Sequence, residues 1–210
     1  DWSSDVCSSD LEGGSSNELI LKKLKKWIID NKNDYDNKIL VIQFTYLNRK
    51  HIFYEPTNNE FKLNGVNNIM TNNNLDNFHK NIIFNYYQNW LKYFFNINYE
   101  FENLLLELEI IKKIFDDNKI KYVWYLFDGI NSDEMTCIDE KIENKIKKEF
   151  LLNTFNFIKF DDDFLCSKYA KKNKIRNCDI IKDSEDNHLH DVGRNLVANI
   201  IKNEIIKKYF

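Results

Sequence analysis

The chain has 210 residues, of which 43% are hydrophobic and 15% aromatic, and its 30 Lys and Arg residues meet 33 Asp and Glu for a net charge of -3. A balance this close to neutral excludes the bulk electrostatic attraction that nucleic acid or an anionic membrane surface requires, and the apolar content excludes a disordered chain. Cys7, Cys137, Cys166 and Cys178 form no CxxC pair, and no apolar run reaches the roughly 18 residues needed to span a bilayer, so the expectation is a cytoplasmic protein without a disulfide framework, zinc site or membrane span.

Asp1–Leu11 (DWSSDVCSSDL) resembles the in-frame translation of a short-read sequencing adapter. It lacks the basic start and apolar stretch of a signal peptide, and its composition differs from the Asn-, Lys-, Ile- and Phe-rich sequence after it. Residues 1–11 are therefore read as a non-native scar. Residues 12–210 are read as one α/β domain, incomplete at its N-terminus. Without Asp1, Asp5 and Asp10 the charges balance at 30 against 30. About 200 residues suit one domain with a single core.

Ser15 and Glu18 have capping-box spacing, which predicts a helix running to about Asp30 with Ile20, Leu24, Trp27 and Ile28 on its apolar face. The near-continuous apolar run Lys38–Phe44 (KILVIQF) predicts a strand buried on both faces. From Phe53 to Asn74 the chain reads as an Asn-rich excursion around Pro56, the only proline. Two helices are expected next, over 75–96 and 99–117, then a strand over 121–127 (KYVWYLF) that ends at Asp128-Gly129. A helix over 138–152, a short strand over 157–160 and a final helix over 191–209 complete the pattern. Alternating helices and buried strands describe a parallel sheet covered on both faces, whose functional residues sit at the C-terminal ends of strands.

The most informative segment is Glu185-Asp186-Asn187-His188-Leu189-His190-Asp191-Val192-Gly193. In extended backbone, Asp186 and His188 project to the same side. A carboxylate there can fix the tautomer of a neighbouring imidazole and stabilise the imidazolium formed when it takes a proton. On spacing alone, a polar loop capping the last helix fits equally well.

Asp186-x-His188, followed five residues after His188 by Gly193 and an apolar helix, resembles the last block of SGNH (GDSL-like) hydrolases. The commoner Asp-x-x-His spacing of that family would put Glu185 in the acid position, so Glu185 is the reserve acid. Gly13-Gly14-Ser15-Ser16-Asn17 opening a helix before the first strand is similar to the second block of uncharacterised SGNH-like proteins from phages and marine metagenomes. The resemblance implies a three-layer α/β/α, flavodoxin-like fold and an ester hydrolase without cofactor. His188 would be its base and acid, Asp186 its orienting carboxylate, and Gly14 with Asn17 its oxyanion site.

Two departures from the family stand out. Its Gly-x-Asn-Asp block is replaced by Thr45-Tyr46-Leu47-Asn48-Arg49, leaving Asn48 as a weak substitute. Its first strand and Gly-Asp-Ser block would lie upstream of Gly13, so the chain carries no assigned nucleophile and is expected to be inactive as given. The resemblance leaves the substrate as a small-molecule or glycan acyl ester. It also admits acyl transfer to a glycan, and a non-catalytic α/β binding or structural protein remains the main alternative.

The other candidates have simpler explanations. Ser15 and Ser16 read as caps, Ser132 and Ser184 as loop residues, and His51 and His79 as lone histidines. His188-x-His190 lacks the further ligands of a metal site, and Asp161-Asp162-Asp163 reads as a solvated strand end. Tyr86, Tyr87, Trp90, Tyr93, Phe94 and Phe95 read as packing residues before a carbohydrate platform.

Overall fold

The computed structural model describes residues 16–32, 34–36, 38–44, 47, 49–63, 75–126, 147, 149–158, 174 and 189–210. The protein is mixed α/β. It divides into two compact units, Asp1–Tyr122 and Val123–Phe210.

In the first unit, α1 (Asn17–Asp30) begins at Ser16, whose extended backbone and Oγ, accepting the Leu19 N–H at 3.3 Å, make it the N-cap. The expected capping box on Ser15 is corrected by this register. With Ser16 as cap, the third helical residue is Leu19, and Glu18 stands one position too early to reach back. Its carboxylate instead meets Lys50 Nζ at 2.5 Å. Leu19, Ile20, Leu21 and Leu24 are buried. At the other end Asn31 bonds the Trp27 carbonyl through both its backbone N–H and Nδ2.

Strand β1 (Ile39–Phe44) alternates, with Leu40, Ile42 and Phe44 buried and Ile39, Val41 and Gln43 only partly so. The expected burial of both faces is not what is found. One face is deeply covered, the pattern of a half-buried strand.

β2 (Lys50–Tyr54) and β3 (Asn59–Leu63) form an antiparallel hairpin in the register Lys50↔Leu63 to Tyr54↔Asn59. This corrects the first part of the expected Asn-rich excursion; residues 64–74 lie outside the described set. The connection is a 3-10 turn over Glu55–Thr57 that holds Pro56 and ends at Asn58 with φ 52°. Asn tolerates that left-handed region, so it replaces the glycine a turn would otherwise call for.

α2 (Asn77–Asn89) starts at Asp76, whose Oδ1 accepts the His79 N–H at 2.9 Å. It passes into a π-helical turn over Trp90–Phe94, closed by Phe95 N–H to Trp90 O. α3 (Ile97–Asp117) is capped by Asn96, which accepts from Asn98 and Tyr99. Its Leu104, Leu108, Ile111 and Phe115 fall on one face at helical spacing and are buried, the last three completely. A second core cluster gathers Leu63, Leu75, Ile83, Tyr87 and Trp90 beneath the hairpin and α2.

β4 (Lys121–Leu126) neighbours β1 in a two-stranded parallel sheet, and the division between units falls inside β4. In the second unit Trp124, 1% exposed, anchors the packing. Its Nε1–H donates to Phe155 O at 2.7 Å, its ring stacks on Phe157 at 5.3 Å, and its carbonyl accepts the Ile158 N–H at 2.8 Å. Tyr125 and Ile158 form a parallel bridge. Residues 149–154 are helical, while residues 138–146 of the helix expected there lie outside the described set, as do residues 127–130 and 159–173. α4 (Asp191–Tyr209) has the expected limits. Among the described residues, no helix is long and apolar enough to cross a membrane.

Candidate functional site: the entry to the last helix and the α1/α3 cleft

Gly14, Glu185, Asp186 and His188 lie outside the described residues, as do Ser15, Asn48, Ser132, Ser184 and Asp161 to Asp163. Immediately downstream of the Asp-x-His segment the chain is described again. His190 is extended, with φ -72° and ψ 171°, and its carbonyl accepts the Arg194 N–H at 2.9 Å to open α4. Gly193 is buried in the first turn.

By sequence, His190 ranks below His188. Its imidazole makes no capping bond, and its Nδ1 is buried with no hydrogen-bond partner among the described residues. No sequence signal announces this, because burial of one ring atom is a tertiary property. Asp191, at the positive end of the helix, is paired with Arg194. The Arg194 hydrogen bond, and then its charge, hold the Asp191 carboxyl below the usual aspartate value.

In the first unit, Asn17 is buried at the start of α1 and lines a cleft of about 630 Å³ between α1 and α3. Leu21 and Leu104 contribute apolar wall, and Lys22, Lys26 and Arg49 contribute charge. The two helices are tied by Lys25 Nζ to Glu107 Oε2 at 2.6 Å. That oxygen is buried and, among the described residues, has no hydrogen-bond partner beyond this ion pair.

Near the start of α1, Lys50 lies between Glu18 and Glu100, with its Nζ 5.5 Å from the Trp90 ring centroid. Burial, the largest influence on Lys50, works to lower its pKa. The Glu18 hydrogen bond and the charges of Glu18 and Glu100 outweigh it and leave the lysine above its ordinary value. Burial pushes Glu100 up, opposed by Lys50 and reinforced by Glu18. Among the residues that line the cleft there is no Ser, Thr or Cys to serve as an acyl-ester nucleophile.

His79, read from sequence as a lone histidine, is placed by two partners. Tyr54 Oη is 2.9 Å from its Nδ1, and Asp76 Oδ2 is 3.9 Å from its Nε2. The trio pins the hairpin to α2, and because Asp76 Oδ1 is already the helix cap we assign it a structural role. Among the described residues, no group of three or more His, Cys, Asp or Glu side chains is arranged to hold a metal ion. No family model, curated protein or solved structure matches the chain.

Proposed function

We propose that the chain carries the acid–base half of an SGNH-type acyl-ester hydrolase site within a three-layer α/β/α fold. The observation that carries the reading is the entry to α4: extended backbone at His190, a helix opening at Asp191 and a buried glycine at 193. In the family's last block an Asp and a His precede a Gly that opens the terminal helix, and the sequence supplies Asp186 and His188 immediately upstream.

In the reaction, His188 Nε2 takes the proton of an attacking serine hydroxyl as the Oγ–carbonyl bond forms. It then returns that proton to the leaving alkoxide as the ester C–O bond breaks. Asp186 accepts the His188 Nδ1–H and stabilises the imidazolium without becoming protonated. Asn17 and the backbone amide near Gly14, at the positive end of α1, would hold the developing oxyanion.

The test uses a chain carrying the family's Gly-Asp-Ser strand ahead of Gly13 and a p-nitrophenyl ester. His188→Ala should lower kcat at least about 100-fold, the usual scale for loss of a general base, and His190→Ala much less. Equal losses at the two positions, or no hydrolysis by any such chain, would overturn the assignment.

A further inference from the structure

The exposed side of α2 differs from those of α1 and α3 in its low charge. α1 exposes Ile29 among Lys22, Lys25 and Lys26, and α3 exposes Tyr99, Leu106 and Ile110 among Glu102, Glu109, Lys113, Asp116 and Asp117. Between Asp76 and Glu100, by contrast, the only lysines are Lys80 and Lys92, and there is no acid at all. The exposed face of α2 is two parallel rows. One row is Asn77, Asn81, Asn85 and Asn89; the other is Phe78, Ile82 and Tyr86. Exposure along the second is 68%, 39% and 46%, and Tyr93 and Phe94 extend the apolar surface beyond it. The opposite face is fixed in the core by Ile83 and Tyr87, so the rows cannot rotate inward.

The apolar row is poorly matched to water, and the lack of charge in both rows excludes acidic peptides, nucleic acid and anionic lipid as natural occupants. It is well matched to itself. Rows at i, i+4 are the ridges that interlock in the commonest helix packing. An amide is both donor and acceptor, so a row of asparagines can pair with an identical row.

The handedness of the pattern then selects the arrangement. A two-fold axis perpendicular to both helices makes them antiparallel and brings each row against its own copy. A two-fold axis parallel to them would set asparagines against aromatics. The two rows also share a centre. Antiparallel pairing of one sets Ile82 opposite Ile82 and Phe78 opposite Tyr86; pairing of the other sets Asn81 opposite Asn85 and Asn77 opposite Asn89. The implied centres differ by about one residue along the helix, roughly 1.5 Å, within the reach of one axis.

We infer that the α2 face is the interface of an antiparallel, two-fold homodimer centred at Ile82. From Asn77 to Asn89 the face is only about 18 Å long, at the low end of specific interfaces, so the dimer is weak and forms with rising concentration. It neither requires nor supports the hydrolase reading. Self-association and ester hydrolysis are measured separately.

Sedimentation velocity on the full chain, from low micromolar to sub-millimolar concentration, tests it. The wild type should move reversibly from monomer to dimer. Asn81→Lys with Asn85→Lys sets like charges opposite each other across the axis and should weaken association at least about tenfold. Asn81→Lys with Asn85→Glu sets opposite charges there and should restore it. Far-ultraviolet circular dichroism confirms that the helix survives in both. Independently, Ile82→Cys should oxidise to a disulfide-linked dimer, because it lies on the axis, and Asn77→Cys should not. A monomer at every concentration, a dimer indifferent to the paired lysines, or an α2 face that binds a neutral oligosaccharide in place of a second copy would each overturn the inference.

Discussion

Lys50→Met tests the charge cluster at the end of the α1/α3 cleft. Methionine keeps most of the apolar stem and removes the ammonium. Two unit charges near a protein surface attract by about 4 kcal/mol at 4 Å and an effective dielectric of about 20. The fully exposed limit for an ion pair is about 0–1 kcal/mol. With side chains 23% and 48% exposed, the Lys50–Glu18 pair lies between these limits. We expect about 1–2 kcal/mol from it, and up to about 1 more from the ammonium over Trp90. A loss near 2 kcal/mol is a large share of the roughly 5–15 kcal/mol that holds a domain folded.

The pH dependence rests on the two shifts. Lys50 is raised, so its contribution is complete below the ordinary lysine value and disappears as pH climbs through the folded value. Glu100 is also raised, so its ionisation opposes folding, a burden absent in acid that grows as pH rises through its titration. Removing Lys50 takes away the charge that opposes this burden. The penalty of Lys50→Met should therefore be greatest at neutral pH and shrink as Glu100 takes up its proton in acid. Urea unfolding of both proteins from about pH 4 to pH 9 measures it. A penalty constant across that range would show that Lys50 acts through packing and refute the electrostatic account.

Ser16 is fully buried and committed to Leu19 N–H, so a fluorophosphonate probe should not label it. Ser16→Ala should cost about 1 kcal/mol in thermal unfolding, as loss of an N-cap does. Trp124→Phe removes the donor to Phe155 O and should destabilise the second unit by about 1–3 kcal/mol, because that carbonyl is left unpaired. A chemical melt followed by near-ultraviolet circular dichroism reports it, and a change below about 0.5 kcal/mol would deny the bond its role.

Helices driven by long apolar periodicity were legible from sequence. α3 keeps Leu104, Leu108, Ile111 and Phe115 in register over its whole length, and α4 begins and ends where its pattern does. What escaped was decided by single residues or by distant partners. The hairpin was hidden because Asn58, not glycine, takes the left-handed turn position. The helix expected over 75–96 gives way to a π turn at Trp90, where ring packing on Tyr87 and Phe95 overrides the period. The capping register differs by one residue because Ser16 is the cap, which leaves Glu18 to pair with Lys50, 32 positions away. Of the proposed site, the glycine and the helix start were readable, and the buried Nδ1 of His190 was not.

The central claim is that Asp186 orients His188, and the tautomer of that imidazole reports it directly. A free neutral imidazole favours the proton on Nε2. A carboxylate accepting from Nδ1 holds the proton there instead. Long-range proton–nitrogen correlation spectra of the 210-residue chain, recorded where its histidines are neutral, distinguish the two forms, with His51, His79 and His190 as internal references. The account predicts the Nδ1–H form at His188 and its reversal to Nε2–H in Asp186→Asn. An Nε2–H tautomer in the wild type, or an Nδ1–H form that survives Asp186→Asn, would contradict it.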